Sequence, residues 1–185
     1  MTGSASPAGE GVPDSAGKPA PDSAGGGEPA PDSADGVARR TLLDRLAAGP
    51  SGMASVALQV AAAEAPGGTP PGEWTAREAV AHLAAVEAAV FQARLDQLAA
   101  GEAPMWAWTE PGPLDTQETA TLDGALETFA ALRSGTLARV TGLDEAGWAR
   151  AGTHATYGRL DVAGLLGVVV DHDDEHLAAL EARVG

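Results

Sequence analysis

From Val37 onward the apolar residues recur at intervals of three and four, the rhythm of helices that bury one face, and no alternating β-branched run breaks it. The pattern predicts a short helical piece over residues 41–48, stopped by Gly49-Pro50. Pro50 then suits the first turn of a second piece, which runs to about Glu64 and stacks Met53, Val56, Ala57 and Val60. The APGGTPPG stretch over residues 65–72 reads as a loop. Thr75-Ala76-Arg77-Glu78 fits a capping box and opens a long helix that passes through His82, Val86, Val90 and Leu95 to about Ala100. A Pro-rich loop over 101–114 carries Trp106 and Trp108. A third helix spans about residues 119–141 and stacks Leu122, Leu126, Phe129, Leu132, Thr136 and Val140, with Gly142 placed for its C-terminal cap. After a loop with Trp148, His154 and Tyr157, Asp161 caps the last helix, whose stripe reads Val162, Leu165, Val169, His172, His176, Leu180, Val184. The expected fold class is all-α, a four-helix bundle over residues 37–185. Its long 101–114 connection allows the second and third helices to be parallel or non-adjacent.

Residues 1–36 follow a different rule. They repeat Pro-Asp-Ser-Ala at positions 13, 21 and 31 and hold one Val, one Met and no aromatic residue. Such a segment has too little apolar area to offset an ordering cost of roughly 1–2 kcal/mol per residue, and it reads as a disordered acidic tail.

Composition narrows the classes further. Without cysteine the chain has no disulfide framework, no thiolate metal site and no thiol nucleophile of its own. With 26 acidic against 11 basic residues the net charge is −15, which argues against nucleic acid as a partner. The longest nearly apolar run, residues 162–170, is far below the roughly 20 residues of a membrane span, and no secretory leader is evident. A cytoplasmic protein with a small-molecule substrate and no membrane partner is the expectation.

The candidate chemistry lies in the last stripe. His172 and His176 stand at i and i+4, about 40° apart around the helix and about 6 Å along it, at positions the rhythm assigns to the core. His82 sits in the middle of the second long helix, in register with Ala79, Val86 and Ala89. Each buried imidazole without a partner costs about 1–3 kcal/mol. A divalent ion such as Zn, Ni, Fe or Cu removes that cost for all three and keeps positions open for water. Hydrogen-bonded core histidines are the plain alternative, since spacing alone does not bring His82 to the other two. The run His172-Asp173-Asp174-Glu175-His176 also has the outline of a zincin helix, but Asp173 stands where the general-base glutamate belongs. Asp171 and Glu175 are candidate acceptors for the ring N–H groups. Arg133 is a candidate for a substrate carboxylate, with an interhelix ion pair as its ordinary role. His154 is a candidate acid or base, or else an exposed loop residue. Trp106 and Trp108 are candidates for the pocket mouth, whereas Trp74 and Trp148 read as packing.

The ordered set Trp74-Thr75-Ala76-Arg77-Glu78, His82-Leu83, Phe129, Arg133, Trp148, His154, Gly158 and His172-x-x-x-His176 resembles the DinB-like family of damage-inducible, metal-binding four-helix bundles over about residues 42–184. The resemblance implies a bundle with one long crossover and a divalent metal (Zn, Ni, Fe or Mn) held by His82, His172 and His176. It also implies kinship with S-transferases that use low-molecular-weight thiols (bacillithiol, mycothiol, glutathione) and with a mycothiol-dependent maleylpyruvate isomerase. Homodimers are frequent in that family. On this basis the chain is expected to be a metal-dependent transferase-like or hydrolase-like enzyme, the alternative being a non-catalytic metal-binding or stress-response bundle.

Overall fold

Residues 33–69 and 72–184 are described by a computed structural model of the chain. The tail expected over 1–36 lies almost wholly outside the described residues. At its inner end Ser33 is the N-cap of helix α1 (Ala34–Gly67), its hydroxyl accepting from the Gly36 N–H at 3.0 Å, so residues 34–36 belong to the helix rather than to the tail.

α1 is one unbroken helix of 34 residues, which corrects the expected stop at Gly49-Pro50. A proline inside a helix deprives the carbonyl four residues earlier of its donor. Here that carbonyl is Leu46, and the Arg133 Nη1 donates to it at 3.2 Å from another helix. The backbone group orphaned by Pro50 is satisfied by tertiary structure, and the helix continues. By length and composition α1 would also suffice to cross a membrane, but its buried face (Leu46, Met53, Ala57, Val60) packs into the bundle.

The second rod begins at the expected capping box: the Glu78 N–H donates to Thr75 Oγ1 at 3.1 Å and the Thr75 N–H to Glu78 Oε2 at 2.9 Å. It comprises α2 (Ala76–Val86), a π-helical turn (Glu87–Gln92) and α3 (Ala93–Ala99). The third and fourth rods are α4 (Leu122–Val140) and α6 (Val162–Glu181), capped by Thr121 and Asp161, with a one-turn α5 (Glu145–Trp148) between them. Residues 182–184 lie beyond the end of α6, so Val184 is not part of its stripe.

Chain direction follows from the cross-helix bonds. Arg77 donates to the Thr119 carbonyl, Gln92 to the Leu132 carbonyl and Arg139 to Asp96, an order that rises on both rods, so the second rod and α4 are adjacent and parallel. Arg45–Asp174 and Glu64–Arg183 show the same for α1 and α6. The segment 101–121 is the crossover that parallel neighbours require. Two apolar clusters fill the two ends of the bundle. One gathers Leu46, Leu98, Val140 and Leu165, and the other Met53, Leu83, Phe129 and Leu180.

The four rods form the expected helical bundle, and a small sheet is added to it. β1 (Met105–Trp106) pairs in parallel with β2 (Ala151–His154), and β2 pairs antiparallel with β3 (Gly158–Asp161). Strands of two to four residues leave no readable alternation. Gly152 permits the arrangement, because a Cβ there would lie 2.7 Å from the Trp106 ring. The sheet ties the crossover to the segment before α6.

Candidate metal centre

Three rods and the crossover meet around α6. The three consecutive residues His172, Asp173 and Asp174 point about 100° apart around that helix and serve three different neighbours. Asp174 pairs with Arg45 on α1 at 2.6 Å. Asp173 pairs with Arg133 on α4 at 2.7 Å. His172 turns toward α2.

The structure brings His82, His172 and His176 together and adds a fourth group that sequence reading missed, Glu110. One ligand atom from each of the four lies within 4.8 Å of all the others. His172 Nε2 is 3.2 Å from His176 Nε2, and Glu110 Oε1 is 3.2 Å from His82 Nε2 and 3.8 Å from His172 Nε2. A tetrahedral ion with bonds of about 2.0–2.1 Å holds its ligand atoms about 3.3 Å apart, so the spacing suits a single ion among the three imidazoles with Glu110 at its open side. The donor chemistry fits as well. His82 is fully buried, and its Nδ1 makes a 2.7 Å hydrogen bond with the Pro111 carbonyl. That acceptor requires the proton on Nδ1 and leaves the Nε2 lone pair facing the cluster. His82 Nε2 has no hydrogen-bond partner among the described residues. The support for His82 is thus a crossover carbonyl, and not Asp171 or Glu175, which line the neighbouring cavity instead. The zincin outline is excluded on the same geometry, because Asp173 faces Arg133.

Electrostatics favours the neutral form of His172 and His176, the form in which an imidazole ligates. Burial, followed by the charges of His172 and His82, lowers the pKa of His176 to about 4. Burial and then His82 push His172 down too, opposed by Glu110. Trp74 stacks parallel to His176 at 6.3 Å and lies 4.6 Å from His82, so it walls the cluster on its outer side rather than packing in the core.

A cavity of about 100 Å³ opens beside His172 and Glu110. Val86, Val90 and Phe91 give it an apolar wall, Arg94 a cationic one, and the half-exposed Trp108 and Tyr157 stand at its mouth. Trp106 belongs to the core, its Nε1–H donating to Gln97 at 2.8 Å, so only one of the two crossover tryptophans borders the cavity; Trp148 is a core residue.

The two remaining candidates lie elsewhere. Arg133 is 1% exposed and all five of its N–H groups are engaged: two donate to Glu87, two to Asp173 and one, from Nη1, to the Leu46 carbonyl. It has nothing free for a substrate. Burial works against its charge, but the hydrogen bonds it donates to Glu87 and Asp173 outweigh burial and raise its pKa further. His154 is on β2, not in an exposed loop, and is 1% exposed. Its Nδ1 accepts from the Thr156 N–H at 3.1 Å, and it sits behind Trp108 and Tyr157, with ring centroids at 6.2 and 4.9 Å. Burial, and then the charge of Arg94, hold its pKa below the usual histidine value.

Comparison with known proteins places the fold. The sequence pattern of the DinB superfamily matches residues 38–180. Among solved structures the fold is similar to that of YfiT from Bacillus subtilis, described as a probable metal-dependent hydrolase with an unusual four-helix bundle topology. The match has a TM-score of 0.64 at 19% identity and covers 85% of this chain and 92% of that one. No curated protein sequence matches the chain.

Proposed function

We propose, from the premise that this chain belongs to the DinB superfamily, that it is a metal-dependent enzyme with hydrolase-like chemistry on a small molecule. The observation that carries the reading is the convergence of three imidazoles and one carboxylate at the edge of an open cavity. His82, His172 and His176 come from rigid helices and would hold a divalent ion (Zn, Ni, Fe or Mn). Such an ion keeps its full charge and supplies Lewis acidity at an open position. Glu110 comes from the crossover, its side chain is 43% accessible, and it reaches both the cluster and the cavity. It is therefore the group placed to take a proton from an incoming nucleophile. The apolar wall of Val86, Val90 and Phe91 excludes water from one side, which strengthens each charge interaction within. Arg133 acts only by fixing Asp173, and with it the rotation of α6 that aims His172.

Elemental analysis of the purified chain tests the first half: about one ion per chain is expected, falling to near zero in His172→Ala. A full complement in that variant would overturn the assignment. Glu110→Gln tests the second half, with metal retained and hydrolysis of a panel of activated esters and amides reduced roughly 10²-fold or more. If the loaded protein instead speeds conjugation of bacillithiol, mycothiol or glutathione to a chlorinated nitrobenzene and leaves the ester panel untouched, the reaction is thiol transfer and the hydrolytic reading is wrong.

A further inference from the structure

Two arginines are buried in this bundle, and they differ in whether they have a counter-ion. Arg94, on the first turn of α3, is 7% exposed and lines the cavity beside His172 and Glu110. Its Nη2 donates to the Ala107 carbonyl at 2.9 Å, and its guanidinium lies 5.3 Å from the centroid of the Trp106 ring. These two contacts hold the side chain in place, but neither carries a negative charge. Among the described residues no carboxylate pairs with it, and its other N–H groups have no acceptor. A guanidinium cannot shed its charge at any ordinary pH. A buried cation kept without a partner is destabilising, and a fixed fork of N–H donors is the group that best matches a carboxylate.

The surroundings describe what would complete it. Arg94 stands one helical turn beyond Phe91, whose ring meets His172 edge-on at 6.1 Å, so the cavity runs from the imidazole cluster to the guanidinium. At its mouth the Trp108 and Tyr157 rings are 6.3 Å apart and about half exposed, a surface suited to a flat apolar body. The volume of about 100 Å³ admits a small molecule only. Glu110, Asp171 and Glu175 also border the cavity and repel multiply charged anions more than singly charged ones.

We propose that Arg94 anchors the carboxylate of a small monoanionic substrate with a flat apolar body, whose reacting group then meets the His–Glu110 cluster. The assignment rests on reading that cluster as the reaction centre, and it adds the substrate class.

Benzoate is the probe, with benzamide as its uncharged counterpart and phenyl phosphate as the doubly charged one. Binding to the full chain is followed by calorimetry and tryptophan fluorescence, with zinc loaded and again after chelation. Benzoate is expected to bind roughly tenfold or more tighter than either competitor, with or without zinc. Arg94→Gln removes that preference while zinc content stays the same, and Arg94→Lys keeps part of it. Equal binding of benzoate and benzamide by the unaltered chain overturns the proposal without recourse to any variant. So does tighter binding of phenyl phosphate, a preference seen only with zinc, or an Arg94→Gln protein that binds benzoate undiminished. A chain that takes up no zinc yet selects benzoate through Arg94 retires the metal reading and leaves the anion anchor standing. A zinc-loaded chain without the preference does the reverse.

Discussion

Arg133 and Arg94 lie on neighbouring parallel rods, are both buried, and have opposite surroundings. Around Arg133 every donor is spent: Glu87 and Asp173 accept from it, the Leu46 carbonyl accepts from it, and Thr136 and Gln92 close the rim. Even Gly49 is part of the fit, since a Cβ there would lie 3.1 Å from both Arg133 Nη1 and Asp173 Oδ2. Around Arg94 and the imidazoles, donors and lone pairs are left over, among them His82 Nε2 and His172 Nδ1. A saturated polar cluster joins helices and has no capacity for anything else. An unsaturated one costs stability, and that cost is recovered when an ion or ligand arrives. The π-helical turn Glu87–Gln92 divides the two regions, with Glu87 turned to the network and Phe91 to the cavity.

The largest effect on this contrast should come from Arg133→Met, which leaves Glu87 and Asp173 buried without their cation. A loss of about 3–5 kcal/mol in denaturant unfolding is expected, whereas Arg94→Met, with no ion pair to break, should cost much less. Equal losses would erase the distinction. Next in size is the ion itself. Chelation should lower the melting temperature of the unaltered chain, by the equivalent of about 4 kcal/mol at a thousandfold excess of ion over its dissociation constant, and leave His172→Ala unmoved.

A smaller effect should separate two glycines of α1. Gly52 has open space where a Cβ would go, so Gly52→Ala should stabilise by about 0.5–1 kcal/mol. Gly49→Ala gains the same propensity but pushes against an arginine and an aspartate that are locked together, and a net loss on the order of 1 kcal/mol is expected. Thermal melts of the two variants check the pair.

The last test concerns pH. With its pKa lowered to about 4, His176 stays neutral in the folded metal-free chain while the unfolded chain takes up a proton near 6.5. The unfolded state binds more protons in that window, so metal-free stability should fall as pH drops from about 6.5 toward 4 and stay flat above it. Melting curves that are level across this window would show that His176 is not buried neutral.

Much of the frame was legible without coordinates. The Thr75–Glu78 capping box, the Asp161 cap and the stripe of α6 are local, because backbone hydrogen bonding and one-sided burial act over three or four residues and leave their period in the sequence. The tertiary structure decided everything that depends on where distant segments meet. The Gly49-Pro50 pair is a helix breaker by local rules, and α1 passes through it because Arg133, 87 residues from Leu46, supplies the missing donor. Glu110 sits in a crossover without periodicity, and two-residue pairing at Met105–Trp106 fixes the neighbouring backbone. The roles of the two arginines were likewise unreadable: a charged side chain is the same in sequence whether its counter-ion is built into the fold or must come from solution.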